Sequence, residues 1–151
     1  MNMGDGKKMM LFLLAGLLLL PACERRTAVA LEGGSVPKFH LSGSGRLGEA
    51  LIFDPAEEAI AKSDPFDKTH AIWDIVPQAG GENAAVPVQD LTVTYGVVPQ
   101  GYKQVKPILG AALPSLTPGK RYRYSFVTVN APWASGYFEI RDNKAVEVPG
   151  P

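Results

Sequence analysis

The chain has a single cysteine, Cys23, among its 151 residues. No disulfide can form within it, so the fold needs a self-sufficient hydrophobic core. Neither sign of charge is in excess: Lys and Arg total 15, Asp and Glu 15. That balance argues against a nucleic-acid partner, which normally shows as a basic surplus. No apolar run reaches the roughly 20 residues a membrane-spanning helix requires. The longest, Met9 to Leu20, falls well short. Internal repeats and low-complexity blocks are also missing, as is the strand-to-helix Gly-x-Ser-x-Gly elbow of serine hydrolases.

What is present begins at the N-terminus. Lys7-Lys8 precedes the apolar run, and Pro21-Ala22-Cys23 follows it. A basic start, about a dozen apolar residues and a small residue before the cut form the anatomy of a secretory signal peptide. Leu20-Pro21-Ala22-Cys23 resembles the lipobox of bacterial lipoproteins. The resemblance implies cleavage between Ala22 and Cys23, lipidation of the Cys23 thiol, and a protein held to a membrane of the bacterial cell envelope. Residues 1–22 are then the signal peptide, residues 23–35 the lipidated cysteine and a flexible tether, and residues 36–151 the folded domain. A tether of a dozen residues reaches at most ~40 Å. Arg25 and Arg26 could meet anionic head groups there, or simply be solvated. Glu24, where an aspartate favours inner-membrane retention in enterobacterial lipoproteins, tilts the expectation toward the outer membrane, facing the periplasm.

The domain reads as mainly β. Thirteen prolines and 16 glycines punctuate short apolar runs, a density that favours turns between strands over long helices. Leu91 to Val97 alternates, with Leu91, Val93, Tyr95 and Val97 on one face. Tyr122 to Val129 places Tyr122, Tyr124 and Phe126 on one side. Gly136 to Arg141 and Lys144 to Val148 flank Asp142-Asn143, a pair that suits a type I′ hairpin turn because both residues tolerate positive φ. Weaker strands are expected at Val36 to Leu41, Glu49 to Phe53 and Ala71 to Val76. One short helix is expected from Pro55 to about Lys62, capped by Asp54 and followed by Asp64-Pro65.

Leu116-Thr117-Pro118-Gly119-Lys120-Arg121-Tyr122 has the spacing Leu-x-Pro-Gly-x-x-Tyr and resembles the E–F corner of fibronectin type III domains. There a tyrosine at the start of strand F bonds through its hydroxyl to a backbone group a few residues upstream. The resemblance implies that Tyr122 is this structural tyrosine corner. It implies that Leu91 to Gly96 is strand C and that Trp73 is the core tryptophan on the strand before. The expectation is a single Ig-like, fibronectin type III-like antiparallel β-sandwich with one short helix.

Candidate chemistry is thin. A zinc site needs three or four ligands, and with Cys23 lipidated His40 and His70 have only carboxylates to help, so both read as ordinary surface or half-buried histidines. Gly43-Ser44-Gly45-Arg46-Leu47-Gly48 spells Gly-x-Gly-x-x-Gly, but a dinucleotide fingerprint must open a helix, and a strand-like run follows. Glu57-Glu58, Asp64 and Asp67 read as helix-start and loop acids. The expectation is therefore no enzyme, no metal and no cofactor.

Binding residues are easier to name. Trp133 in Asn130-Ala131-Pro132-Trp133 and Tyr102 in Pro99-Gln100-Gly101-Tyr102 fall on expected loops, where large aromatics serve as contact anchors or fold back to cap the core. Lys103, Lys106, Lys120, Arg121 and Arg123 could form a basic face for an anionic glycan or partner, or simply solubilise an edge. The expected function is a non-enzymatic binding or scaffold module, anchored to the membrane at Cys23 and contacting an envelope protein or glycan. The alternative is an inhibitor or immunity lipoprotein that blocks a cell-wall-directed enzyme. A hydrolase would need carboxylates from separate segments to converge in one pocket.

Overall fold

The computed structural model describes residues 26–54, 68–80 and 84–150. Cys23, the signal segment and the helix expected over 55–62 lie outside the described residues.

Among the described residues, ten strands form two antiparallel sheets. They are β1 (Thr27–Glu32), β2 (Lys38–Gly43), β3 (Arg46–Phe53), β4 (Ala71–Pro77), β5 (Val86–Pro87), β6 (Leu91–Thr94), β7 (Tyr102–Lys106), β8 (Arg121–Val129), β9 (Ala134–Arg141) and β10 (Lys144–Val148). The smaller sheet has the order β1-β2-β6. The larger has the order β10-β9-β8-β3-β4-β7, with β5 also paired to β3.

The two sheets share one core. Phe39 and Leu41 of β2 and Val93 of β6 are buried together with Leu47, Ala50 and Ile52 of β3, Trp73 and Ile75 of β4, and Tyr122, Tyr124 and Phe126 of β8. Phe39 sits at the centre. Its ring lies 5.1 Å from that of Tyr124, 5.2 Å from that of Phe126 and 5.7 Å from that of Phe138, all tilted or edge-on. Such geometries match the positive edge of one ring to the negative face of another.

Local chemistry accounts for the turns. Asp142 and Asn143 adopt φ values of 49° and 59° between the paired Arg141 and Lys144, the two-residue I′ link of a tight hairpin. Tyr122 is buried, and its hydroxyl accepts a hydrogen bond from the Thr117 N–H at 2.8 Å. Gly119 donates to the Ile140 carbonyl at 2.8 Å, so the turn before β8 is also tied to β9.

Three expectations need correction. Residues 27–32, expected within the tether, form β1 and pair with β2 from Thr27 opposite Gly43 to Glu32 opposite Lys38. Thr27, Val29 and Leu31 alternate with Ala28, Ala30 and Glu32, and Val29 and Leu31 pack on the core. The folded part therefore begins about ten residues earlier than residue 36. The strand expected over Leu91–Val97 stops at Thr94. Gly96 turns the chain with φ 78°, where a Cβ would collide with Leu113, and Val97 is exposed. That strand pairs with β2 in the small sheet, so it does not stand in the strand C position. The neighbours of β8 are β9 and β3, and Trp73 lies on β4, one strand beyond β3. Finally, β7 was read as a loop and is an edge strand. Its Lys103 and Lys106 are the kind of charge that guards an open edge.

Removing the Phe39 ring would leave a cavity against three aromatic neighbours. Phe39→Ala should cost about 3–5 kcal/mol. In a protein without a disulfide, thermal unfolding followed by circular dichroism should show most of the stability lost.

Candidate functional site

The strand directions define two ends. β1 runs from Thr27 at one end to Glu32 at the other, about 17 Å away by strand rise. At the Glu32 end, the segment before β2, the residue after β6 and the chain entering β8 enclose a cavity of about 350 Å³. It is lined by Ser35, Val36, Tyr95, Leu113, Pro114, Ser115 and Leu116. Tyr95 is buried, sits edge-on to Trp73 at 5.6 Å, and donates its hydroxyl to the Pro114 carbonyl at 2.6 Å. That bond holds the far wall in place. Val36 and Leu113 remain exposed at the rim, and Val97 and Val98 are exposed just after Tyr95 and Gly96. The chain on this side also carries a protruding apolar turn. Ala111 donates to the Ile108 carbonyl at 2.9 Å, leaving Ile108 75 % and Leu109 99 % exposed.

Two carboxyls that sequence reasoning passed over meet on the outer side of the larger sheet. Glu49 of β3 is 5 % exposed and Asp74 of β4 is 3 % exposed. Both stand in otherwise apolar strands, Leu47-Gly48-Glu49-Ala50-Leu51 and Trp73-Asp74-Ile75, and an acid within an apolar run was the available signal. Lys68 bridges both Glu49 oxygens at 2.6 and 2.5 Å. Lys106 donates to the Lys68 carbonyl at 2.7 Å and to the Thr69 carbonyl. Burial, the neighbouring Glu49 charge and a hydrogen bond to Glu49 push the Asp74 carboxyl up to about 7, against the smaller opposing pull of Lys68 and Lys106. When protonated, Asp74 is the hydrogen-bond donor of the pair. Glycosidase carboxyls stand about 5–9 Å apart with the scissile bond between them, and a directly hydrogen-bonded pair leaves no such gap.

The expected binding residues are not brought together. Trp133 lies in the loop between β8 and β9 and is 46 % exposed. Tyr102 is 2 % exposed in β7, so the reading of it as a loop anchor is overturned. Its hydroxyl donates to the Leu47 carbonyl at 2.5 Å and accepts from the Val86 N–H at 3.1 Å, fastening β5 and β7 to β3. Three strands separate β9 from β7. The expected basic face is mostly engaged in the fold. Lys120 pairs with Asp54, Arg121 with Glu139 at 3.4 Å, and the Arg123 guanidinium lies 4.1 Å from the centre of the Phe53 ring. His40 contacts Glu32 at 2.6 Å and Thr92 at 2.9 Å on the surface of the small sheet. Among the described residues, no group of three or more His, Cys, Asp and Glu side chains could hold a metal ion. Gly43 and Gly45, with φ of 102° and 117°, form the turn between β2 and β3.

Comparison with protein-family models, with curated proteins and with solved structures finds no match to this chain.

Because the folded protein keeps the Asp74 proton over a pH range where the unfolded chain releases it, this group makes stability fall as pH rises from about 4 to about 7. Asp74→Asn mimics the neutral donor. It should raise the melting temperature by several degrees near pH 8, with the gain shrinking to nothing near pH 4. A gain independent of pH in calorimetric scans would contradict this.

Proposed function

We propose that this chain is a bacterial envelope lipoprotein, anchored through acyl chains on Cys23, whose Ig-like domain acts as a non-enzymatic binding module. The observation that carries the binding reading is the open cavity at the Glu32 end, lined by both apolar and polar side chains, rimmed by exposed Val36 and Leu113 and rigidified by the Tyr95–Pro114 hydrogen bond. Arg26, the described residue nearest Cys23 in sequence, lies at the other end, so the cavity faces away from an anchor at Cys23. The exposed apolar rim of Val36 and Leu113 favours a protein segment over a glycan, because sugar hydroxyls would lose water against it without gaining partners. Support for the Ig-like reading is topological. The order β1-β2-β6 corresponds to A-B-E, and β3-β8-β9 to C-F-G, with the tyrosine corner ahead of β8. The lipobox residues support the anchor, and Glu24 supports the outer membrane, facing the periplasm.

The second reading, an inhibitor or immunity lipoprotein, is favoured by the Ile108–Leu109 turn. Two apolar side chains on a tight protruding turn have the shape of a plug for an enzyme cleft. Under that reading Leu109→Asp abolishes protection against a lytic enzyme while the protein stays folded. Under the first it leaves sensitivity unchanged.

A photo-crosslinking residue placed at Leu113 in the full chain, expressed in bacteria, should give a discrete adduct that one placed at Gln100, at the other end, does not. Val36→Glu should remove the adduct. Equal labelling from both positions, or none from Leu113, would sink the cavity as the binding site.

A further inference from the structure

The strand at residues 27–32 changes how an anchored protein would sit. A tether running to residue 35 would let the domain stand ~40 Å from the bilayer. Instead Arg26 is already fixed, its carbonyl accepting the Ser44 N–H at 3.1 Å. Only three residue steps separate Arg26 from Cys23, a reach of about 11 Å at full extension. Thr27 then bonds through its hydroxyl to the Ser44 carbonyl at 3.2 Å and meets the Thr128 hydroxyl at 3.4 Å. Thr128 in turn donates to the carbonyls of Ala131 and Pro132 at 3.0 and 2.9 Å. A short chain of hydrogen bonds therefore joins Thr27 to the loop that carries Trp133. Ala131 also stands so close to Gly45 that a Cβ there would clash, so this loop is packed down on the β2–β3 turn.

Resting on the lipoprotein reading above, we infer that the end formed by Arg26, the 43–45 turn and the 130–133 loop lies on the lipid surface, and that Trp133 inserts at the level of the head groups. The acyl chains on Cys23 would occupy the hydrocarbon, which places the cysteine itself at its boundary. A point about 11 Å from that boundary is still within or just above the head-group layer. An amphipathic indole is the side chain most favoured at that depth. Trp133 is 46 % exposed at this end, and Arg26, bonded through its carbonyl to Ser44 at the same end, is a cation of the kind anionic head groups attract. The loop residue first read as an anchor for a protein partner thus becomes a second contact with the membrane. It fixes the tilt of the domain and directs the cavity at the Glu32 end outward.

The test uses the full chain expressed in a lipoprotein-processing bacterium, purified and reconstituted into phosphatidylethanolamine–phosphatidylglycerol vesicles. The two tryptophans serve as probe and reference: Trp73 is fully buried in the core, and Trp133 is exposed. Lipids brominated near the head-group end of their acyl chains should quench the Trp133 emission and leave that of Trp73. Trp133→Phe should abolish the quenching while the Trp73 spectrum reports an intact fold. Trp133 emission that bromine leaves untouched and aqueous acrylamide quenches freely would overturn the inference with the anchor intact. The mass of the N-terminal peptide, and the membrane partition of Cys23→Ala, judge the anchor separately. An unmodified Cys23 removes the lipoprotein reading and this inference together.

Discussion

The fold depends on the insertion of Phe39 between two sheets that no disulfide joins. The small sheet offers few large side chains to the shared core. Phe39 is the one that reaches Tyr124, Phe126 and Phe138 at once. Stacking of Tyr122 on Phe138 at 5.5 Å extends the cluster toward the corner before β8. Each such ring buries on the order of 150–250 Å². A domain of this size with no disulfide has little other source of stability.

Around that core, tyrosine hydroxyls do for the loops what disulfides do in small exported domains. Tyr95 holds Pro114, Tyr102 holds Leu47 and Val86, and Tyr122 holds Thr117. In each case the ring is buried among core residues, and the hydroxyl reaches a backbone group of another segment. Connecting segments rich in proline and glycine lack ladder hydrogen bonds of their own. A ring fixed by packing gives them a defined position, and the wall of the cavity at Leu113–Leu116 is one product of this.

How far the sequence disclosed this arrangement varied with the range of the interaction. The Asp142-Asn143 turn and the Tyr122 corner were legible because their chemistry is local: two residues that tolerate positive φ, and a hydroxyl five residues from its donor. β1 was hidden because Ala28 and Ala30 on its outer side, with Gly33-Gly34 after it, imitate a linker. β7 was hidden because Lys103, Gln104 and Lys106 obscure its alternation, and the Gly101 turn before it made Tyr102 look like a loop residue. Glu49 and Asp74 could not be paired from sequence. Their meeting depends on β3 and β4 being neighbours in one register, which is set by side chains elsewhere in the sheet. The cavity needs three separate segments at one end and had no sequence signature at all.

The buried acids and the N-terminal strand bear on the same question, which parts of the surface are free to meet something else. On the outer side of the larger sheet, Lys68 and Lys106 are committed to the carboxyls and carbonyls around Glu49 and Asp74, and Arg123 to Phe53. Displacing Lys68 would leave the buried Glu49 carboxylate without its counter-ion, a cost of several kcal/mol. On the lipoprotein reading, the short link from Cys23 to Arg26 assigns the opposite end to the bilayer. The cavity between Val36 and Leu113 and the turn at Ile108–Leu109 are then the surfaces left facing the envelope. Val36, Ile108, Leu109 and Leu113 are exposed there, so a partner could cover them without displacing the Tyr95–Pro114 bond that holds the cavity wall.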